Sequence, residues 1–253
     1  MRRKNAWTTY NKKQLDELEK LCKNYLKFLD KGKTERECVK QIVKQAEEKG
    51  YVNLADITKD KKALKAGDKV YSVCMDKTVA LFQIGKKKLE KGMNILGAHI
   101  DSPRMDVKQN PLYESEEFAY LDTHYYGGIK KYQWVTLPLA LHGVVVKKDG
   151  PVITVNVGED KNDPVFCVTD LLIHLAGEQM EKKANKVIEG ENLDVLVGSK
   201  PLEGKEKDAV KEGILEILKE KYDMTEEDFM SAEIEVVTAG RSGSEYGYVL
   251  WTG

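Results

Sequence analysis

The 253-residue sequence has no excess of either charge: 41 basic side chains face 42 acidic ones, for a formal net charge of -1. Nucleic-acid scaffolds carry a basic surplus and acidic disordered tails the opposite. The balance therefore excludes both classes. Long apolar runs are also missing. No window approaches the ~18 consecutive apolar residues of a membrane span, and the start, MRRKNAWTTYNKK, lacks the apolar stretch of a signal peptide. Cysteine is scarce. Cys22, Cys38, Cys74 and Cys167 form no CxxC and no paired spacing, so they read as reduced thiols rather than a disulfide framework or a cysteine metal site. There is no P-loop and no GxGxxG. What is present is a 41% apolar fraction, enough for a sizeable core, and a length suited to one or two domains. The composition alone predicts only a soluble globular protein; with no export signal or span, a cytoplasmic chain that binds neither nucleic acid nor membrane is expected.

Leu15, Leu18, Cys22, Tyr25 and Leu29 recur at helical steps. Thr34 with Glu37 forms a capping-box pattern before a second helix through Cys38, Val39, Ile42, Val43 and Ala46, which Gly50 closes. Both helices read as core packing. The period then changes: 68–75 and 78–84 read as two strands joined by a turn at Asp76-Lys77, and the basic Lys86–Lys88 run reads as a solvated turn. Met93–Ile100, apolar with little alternation, has the pattern of a strand covered on both faces. Residues 103–117 read as irregular. Segments 135–146 and 152–157 flank an Asp149-Gly150 hairpin turn. Helices are expected from Asp170 toward Lys186 and from Asp208 to Tyr222, and a half-buried strand over 232–237. This order predicts an α/β domain interrupted by a second module.

Four histidines are present, and His99 is the informative one. It ends the most apolar strand candidate, where open α/β sheets place ligands, and Asp101 follows two residues later on the same side of an extended chain. A His-x-Asp pair lets an imidazole bind a divalent ion while the carboxylate orients it. The same spacing is common among ordinary surface residues. His174, beside Leu172 and Leu175, reads from its neighbours alone as a half-buried helical histidine, and His124 and His142 carry no assignable role.

GAHIDSPRMDVK, PLYE at 111–114, HYYGGIKKYQW at 124–134, the DKVY and ALFQIGK strand pair and DLLIHL occur in one order that resembles the M18 metallo-aminopeptidases, the aspartyl aminopeptidase and aminopeptidase I group. The resemblance runs to about Ala239. It implies an α/β catalytic domain interrupted by a β-rich dimerisation domain. The first catalytic segment would cover 1–105, the insert 106–231, and a return strand with a divergent tail 232–253. It implies removal of single residues from peptide N-termini with two divalent ions, usually zinc, with cobalt or manganese as alternatives. His99 matches the family's first metal-binding histidine and Asp101 its supporting carboxylate. His174 matches an insert histidine that reaches a neighbouring subunit's active site and helps hold substrate, so assembly into a homo-oligomer through the insert is implied. Two ions can activate a shared water and polarise a scissile carbonyl, and an imidazole delivered in trans can hydrogen-bond the oxygen that gains charge.

After Glu235-Val236-Val237 the pattern departs. Thr238 stands where the family has proline. The Gly-Gln-Asp-Asp segment, the Glu-Glu pair, a further aspartate and a last histidine have no counterparts in the 253 residues. A complete member would be nearly twice as long. The sequence therefore predicts a truncated or frameshifted product with an aromatic tail, inactive alone for want of its later ligands and general base. A non-catalytic oligomerisation module that pairs with full-length or complementary chains is the alternative.

Overall fold

The computed structural model describes residues 4–245 and 248–250, with side chains to Ser242. Tyr246, Trp251 and the rest of the expected aromatic tail's side chains lie outside what is described. The chain divides into two compact units, one of residues to Asp101 plus those from Arg241, the other Ser102–Gly240.

In the first unit, α1 (Lys12–Lys31) opens on an Asn11–Gln14 capping box and α2 (Glu35–Glu48) on the Thr34–Glu37 box that the sequence indicates. Side-chain oxygens satisfy the otherwise orphaned first-turn N–H groups. Gly50, past the end of α2, takes a φ of 83°, open to glycine without a Cβ penalty. Cys38, Val39 and Ala46 of α2 are buried, whereas no residue of α1 is fully buried. A three-stranded sheet follows: β1 (Val52–Asn53), β2 (Lys69–Cys74) and β3 (Thr78–Gln83), with a short α3 (Leu54–Lys59) between the first two. The β2–β3 hairpin turns through three residues, Met75–Lys77, with Met75 and Asp76 both at positive φ and Lys77 N donating to the Cys74 carbonyl at 3.0 Å. Arg36 of α2 holds this turn by donating to the Met75 carbonyl at 3.0 Å. Ser242 Oγ donates to the Leu26 carbonyl at 3.0 Å, tying the segment that re-enters the unit to α1.

Met93–Ile100 is not a strand. It has no regular structure, Ile95 is 80% exposed and Leu96 fully exposed. A strand without polar alternation needs neighbours along both edges and cover on both faces. Among the described residues none pairs with this segment.

The second unit is built on a six-stranded antiparallel sheet, ordered β7-β6-β9-β4-β5-β8. Its strands are β4 (Arg104–Ser115), β5 (Phe118–Tyr126), β6 (Leu139–Val146), β7 (Val152–Val157), β8 (Val195–Gly198) and β9 (Ala232–Thr238). Residues 103–117, expected to be irregular, form β4 almost throughout. A register shift between Val107 and Leu112 breaks the alternation and hides the strand from a period-two reading. β9 lies inside the sheet, hydrogen-bonded to β4 on one side and β6 on the other.

Cross-strand partners Met105, Val236 and Leu141 share one face. That face forms the main core with Leu139, Val145, Val195 and the inward side chains of the helix Ala209–Tyr222, among them Val210 and Ile214. The helix begins where the sequence predicts, but Asp208 makes no side-chain cap. Glu114 of β4 supplies it instead, its Oε2 accepting from the N–H groups of Val210 and Lys211 at 2.8 and 2.9 Å. The other predicted helix, 170–186, is reduced to the single turn α4 (Gly177–Met180), with the later helix numbered α5. Among the described residues no helix is long and apolar enough to cross a membrane.

Candidate functional site

His99 and Asp101 lie in the first unit, on the unstructured stretch that follows the 3-10 turn Leu89–Lys91. The structure brings the two together. His99 Nδ1 is 3.0 Å from the Asp101 carbonyl oxygen and 3.3 Å from its Oδ1. A proton on Nδ1 donated to Asp101 leaves the Nε2 lone pair as the ligating position, the arrangement by which a carboxylate or carbonyl orients a metal-binding imidazole. The His99 side chain is 85% exposed.

A zinc site takes three or four protein ligands. Among the described residues no cluster of three or more histidine, cysteine or acidic side chains is placed to hold an ion. One imidazole and one carboxylate do not make a complete zinc site.

His174 lies in the second unit, exposed on a turn at 173–175. It is neither helical nor half-buried, contrary to the reading from its neighbours. Leu171, Leu172, Ile173 and Leu175 are 54, 71, 67 and 70% exposed. Four apolar residues in five positions offer no polar face to water, so they do not form an amphipathic helix. Asp170, expected as a helix cap, instead accepts from Leu171 N and from Gln179 Nε2, both at 2.8 Å.

The sequence reading misses a polar row across the second sheet. Registered partners His124, Asp106, Glu235, His142 and Asn156 run through β5, β4, β9, β6 and β7 on the face opposite the main core. Arg104 joins them: its Nε donates to Asp106 Oδ1 at 2.8 Å and lies 3.0 Å from Glu235 Oε2, while its guanidinium sits 4.1 Å from the Tyr126 ring centre. Arg104, Glu235 and His142 are buried, and His142 Nε2 is 3.2 Å from Glu159 Oε1. The available signal is the alternation Arg104-x-Asp106-x-Lys108 against Met105-x-Val107, legible only once 104–115 is taken as a strand.

The chain is of the mixed α/β class, with a helical first unit carrying a small sheet and a β-rich second unit. The comparisons narrow it. The profile of the family described as Aminopeptidase I zinc metalloprotease (M18) matches residues 28–245. A probable M18 family aminopeptidase 1 of Clostridium acetobutylicum is 59% identical over 246 residues, covering 97% of this chain and 53% of that protein. The crystal structure of an M18 family aminopeptidase from Thermotoga maritima superposes with a TM-score of 0.88 at 46% identity, over 96% of this chain and 52% of that one. The mApe1 dodecamer of S. cerevesiae shares the fold, with a TM-score of 0.63 at 16% identity, over 91% of this chain and 51% of that one. The chain belongs to the M18 aminopeptidase family, and it spans about half the length of these relatives.

Proposed function

We propose that this chain carries part of the machinery of a cytoplasmic metallo-aminopeptidase that removes residues from peptide N-termini. His99 supplies one metal ligand, Asp101 orients it, and His174 holds substrate in a neighbouring subunit's site. Zinc is the expected ion, two per complete site. In this reading 1–105 is the first catalytic segment, 106–231 the dimerisation insert and 232–253 the return strand and tail. The observation that carries the reading is the His99–Asp101 contact within a chain of this family. Because one imidazole and the carboxylate that orients it do not make a site for two ions, the 253-residue polypeptide is expected not to turn over peptides by itself.

The test mixes the chain with a polypeptide covering the second half of the Clostridium acetobutylicum relative, adds zinc and follows a panel of aminoacyl p-nitroanilides. Turnover that disappears with His99→Ala supports the assignment. Turnover equal for wild type and His99→Ala contradicts it.

A second reading is a non-catalytic module that joins full-length relatives through the second unit. The core of that unit, complete around the six-stranded sheet, favours it. Co-purification with a full-length relative in which neither His99→Ala nor His174→Ala alters the relative's activity identifies the module.

A further inference from the structure

The segment carrying His174 is tied at its base by hydrogen bonds to the Asp170 side chain. Asp170 Oδ1 accepts at once from the N–H of Leu171 and from Nε2 of Gln179, each at 2.8 Å, so one carboxylate oxygen joins the two ends of the turn. Inside it, Leu175 N donates to the Leu172 carbonyl at 2.8 Å and Ala176 N to that of Ile173 at 3.3 Å. Ala176 is buried, and its carbonyl accepts from Met180 N at 2.8 Å. The four apolar side chains between these bonds point largely to solvent and contribute little burial that could fix the turn. Asp170, Leu171 and Gln179, at the two ends of the segment, also line an open pocket of about 310 Å³ with Val135, Ile188 and Asn192.

These features place the conformational control in two residues. A short loop whose side chains are largely exposed to water samples many arrangements unless its ends are tied. A charge-assisted bond is stronger than a neutral one, and the Asp170 carboxylate makes two through one atom. We propose that Asp170 and Gln179 form a clasp that sets the 171–176 turn and hence the direction in which His174 is presented to a neighbouring subunit. Both are positioning residues; neither touches substrate. The clasp rests on the reading of His174 as an imidazole acting in trans. That role needs pre-organisation, since displacing a catalytic group by about 1 Å costs on the order of 100-fold.

Three variants test it. Asp170→Ala removes the acceptor, Gln179→Met keeps length but removes the donor, and Asp170→Asn keeps an oxygen able to accept both bonds. The first readout is amide hydrogen exchange of Leu171, Leu175 and Ala176 in the full 253-residue chain. Exchange is expected to rise about tenfold or more in Asp170→Ala and Gln179→Met, the loss of one bond to a charged group, and to rise less in Asp170→Asn, which keeps both bonds as neutral ones. The second readout mixes each variant with the full-length Clostridium acetobutylicum relative whose histidine matching His174 is replaced by alanine. Wild type and Asp170→Asn should restore kcat, and the other two should restore about tenfold less at unchanged oligomer size. Unchanged exchange in both disrupting variants overturns the clasp. Equal restoration by all variants overturns its role in presenting His174. If His174→Ala restores activity as well as wild type, the trans reading of His174 fails, and the exchange result alone decides the clasp.

Discussion

Arg104 Nε lies 3.0 Å from Glu235 Oε2, and the two side chains are 5% and 2% exposed. They link neighbouring strands, β4 and β9, on the face of the second sheet that carries its polar row. Replacing Arg104 by methionine leaves the Glu235 carboxylate buried without that cation, a change that costs about 3–5 kcal/mol. Urea unfolding of Arg104→Met should show a loss of that order. The double variant Arg104→Met/Glu235→Leu should recover most of it, because removing both charges removes the desolvation cost as well. A single variant as stable as wild type would show that the buried Glu235 carboxylate does not depend on Arg104.

Glu114 caps α5 from another element. With its Oε2 on the N–H groups of Val210 and Lys211, the carboxylate both satisfies first-turn donors and faces the positive end of the helix. Glu114→Ala should destabilise the chain by about 0.5–2 kcal/mol, read as an earlier helix loss in a far-ultraviolet melt.

Gly143 admits no side chain. A Cβ there would sit 2.0 Å from the Glu233 carbonyl oxygen, a backbone atom of the paired strand β9 that no rotamer change can move. Gly143→Ala should cost at least about 1–3 kcal/mol in urea unfolding, the usual penalty for overpacking, and should weaken exchange protection along β6 and β9.

Tyr113 and Asp194 predict a response to alkali. Burial, and then the 2.5 Å hydrogen bond to Asp194, push the Tyr113 hydroxyl well above its ordinary value of 10.0. A group whose folded pKa is raised stabilises the fold fully below its unfolded value and loses that contribution as pH rises above it. Stability should therefore fall progressively above about pH 10. Tyr113→Phe should flatten that fall in urea titrations at stepped pH; an identical slope in the variant would remove Tyr113 as the source.

Much of the fold is legible because local chemistry decides it. The Thr34–Glu37 box, the β2–β3 hairpin, α5 and the strand at 232–238 follow from capping, turn geometry and alternation within one element. The departures are non-local. β4 is hidden by a register shift, and the cap of α5 comes from a residue about a hundred positions away. DLLIHL looks like a helix, yet its start is taken by the Asp170–Gln179 bond. Met93–Ile100 has the composition of a buried strand but no pairing partner among the described residues, and composition cannot supply one. At the candidate site, the His99–Asp101 pair is readable from a two-residue spacing, because those atoms meet through local backbone geometry alone. The Arg104–Glu235 pair joins positions far apart in sequence and becomes visible only when β4 and β9 are laid side by side.

The most direct test of the account is an activity measurement on the purified 253-residue polypeptide, saturated with zinc and, separately, with cobalt or manganese, against the aminoacyl p-nitroanilide panel. The account predicts no turnover above that of the metal alone. Turnover by this polypeptide, lost on His99→Ala, would contradict it and show that a competent site forms from these residues without a partner chain.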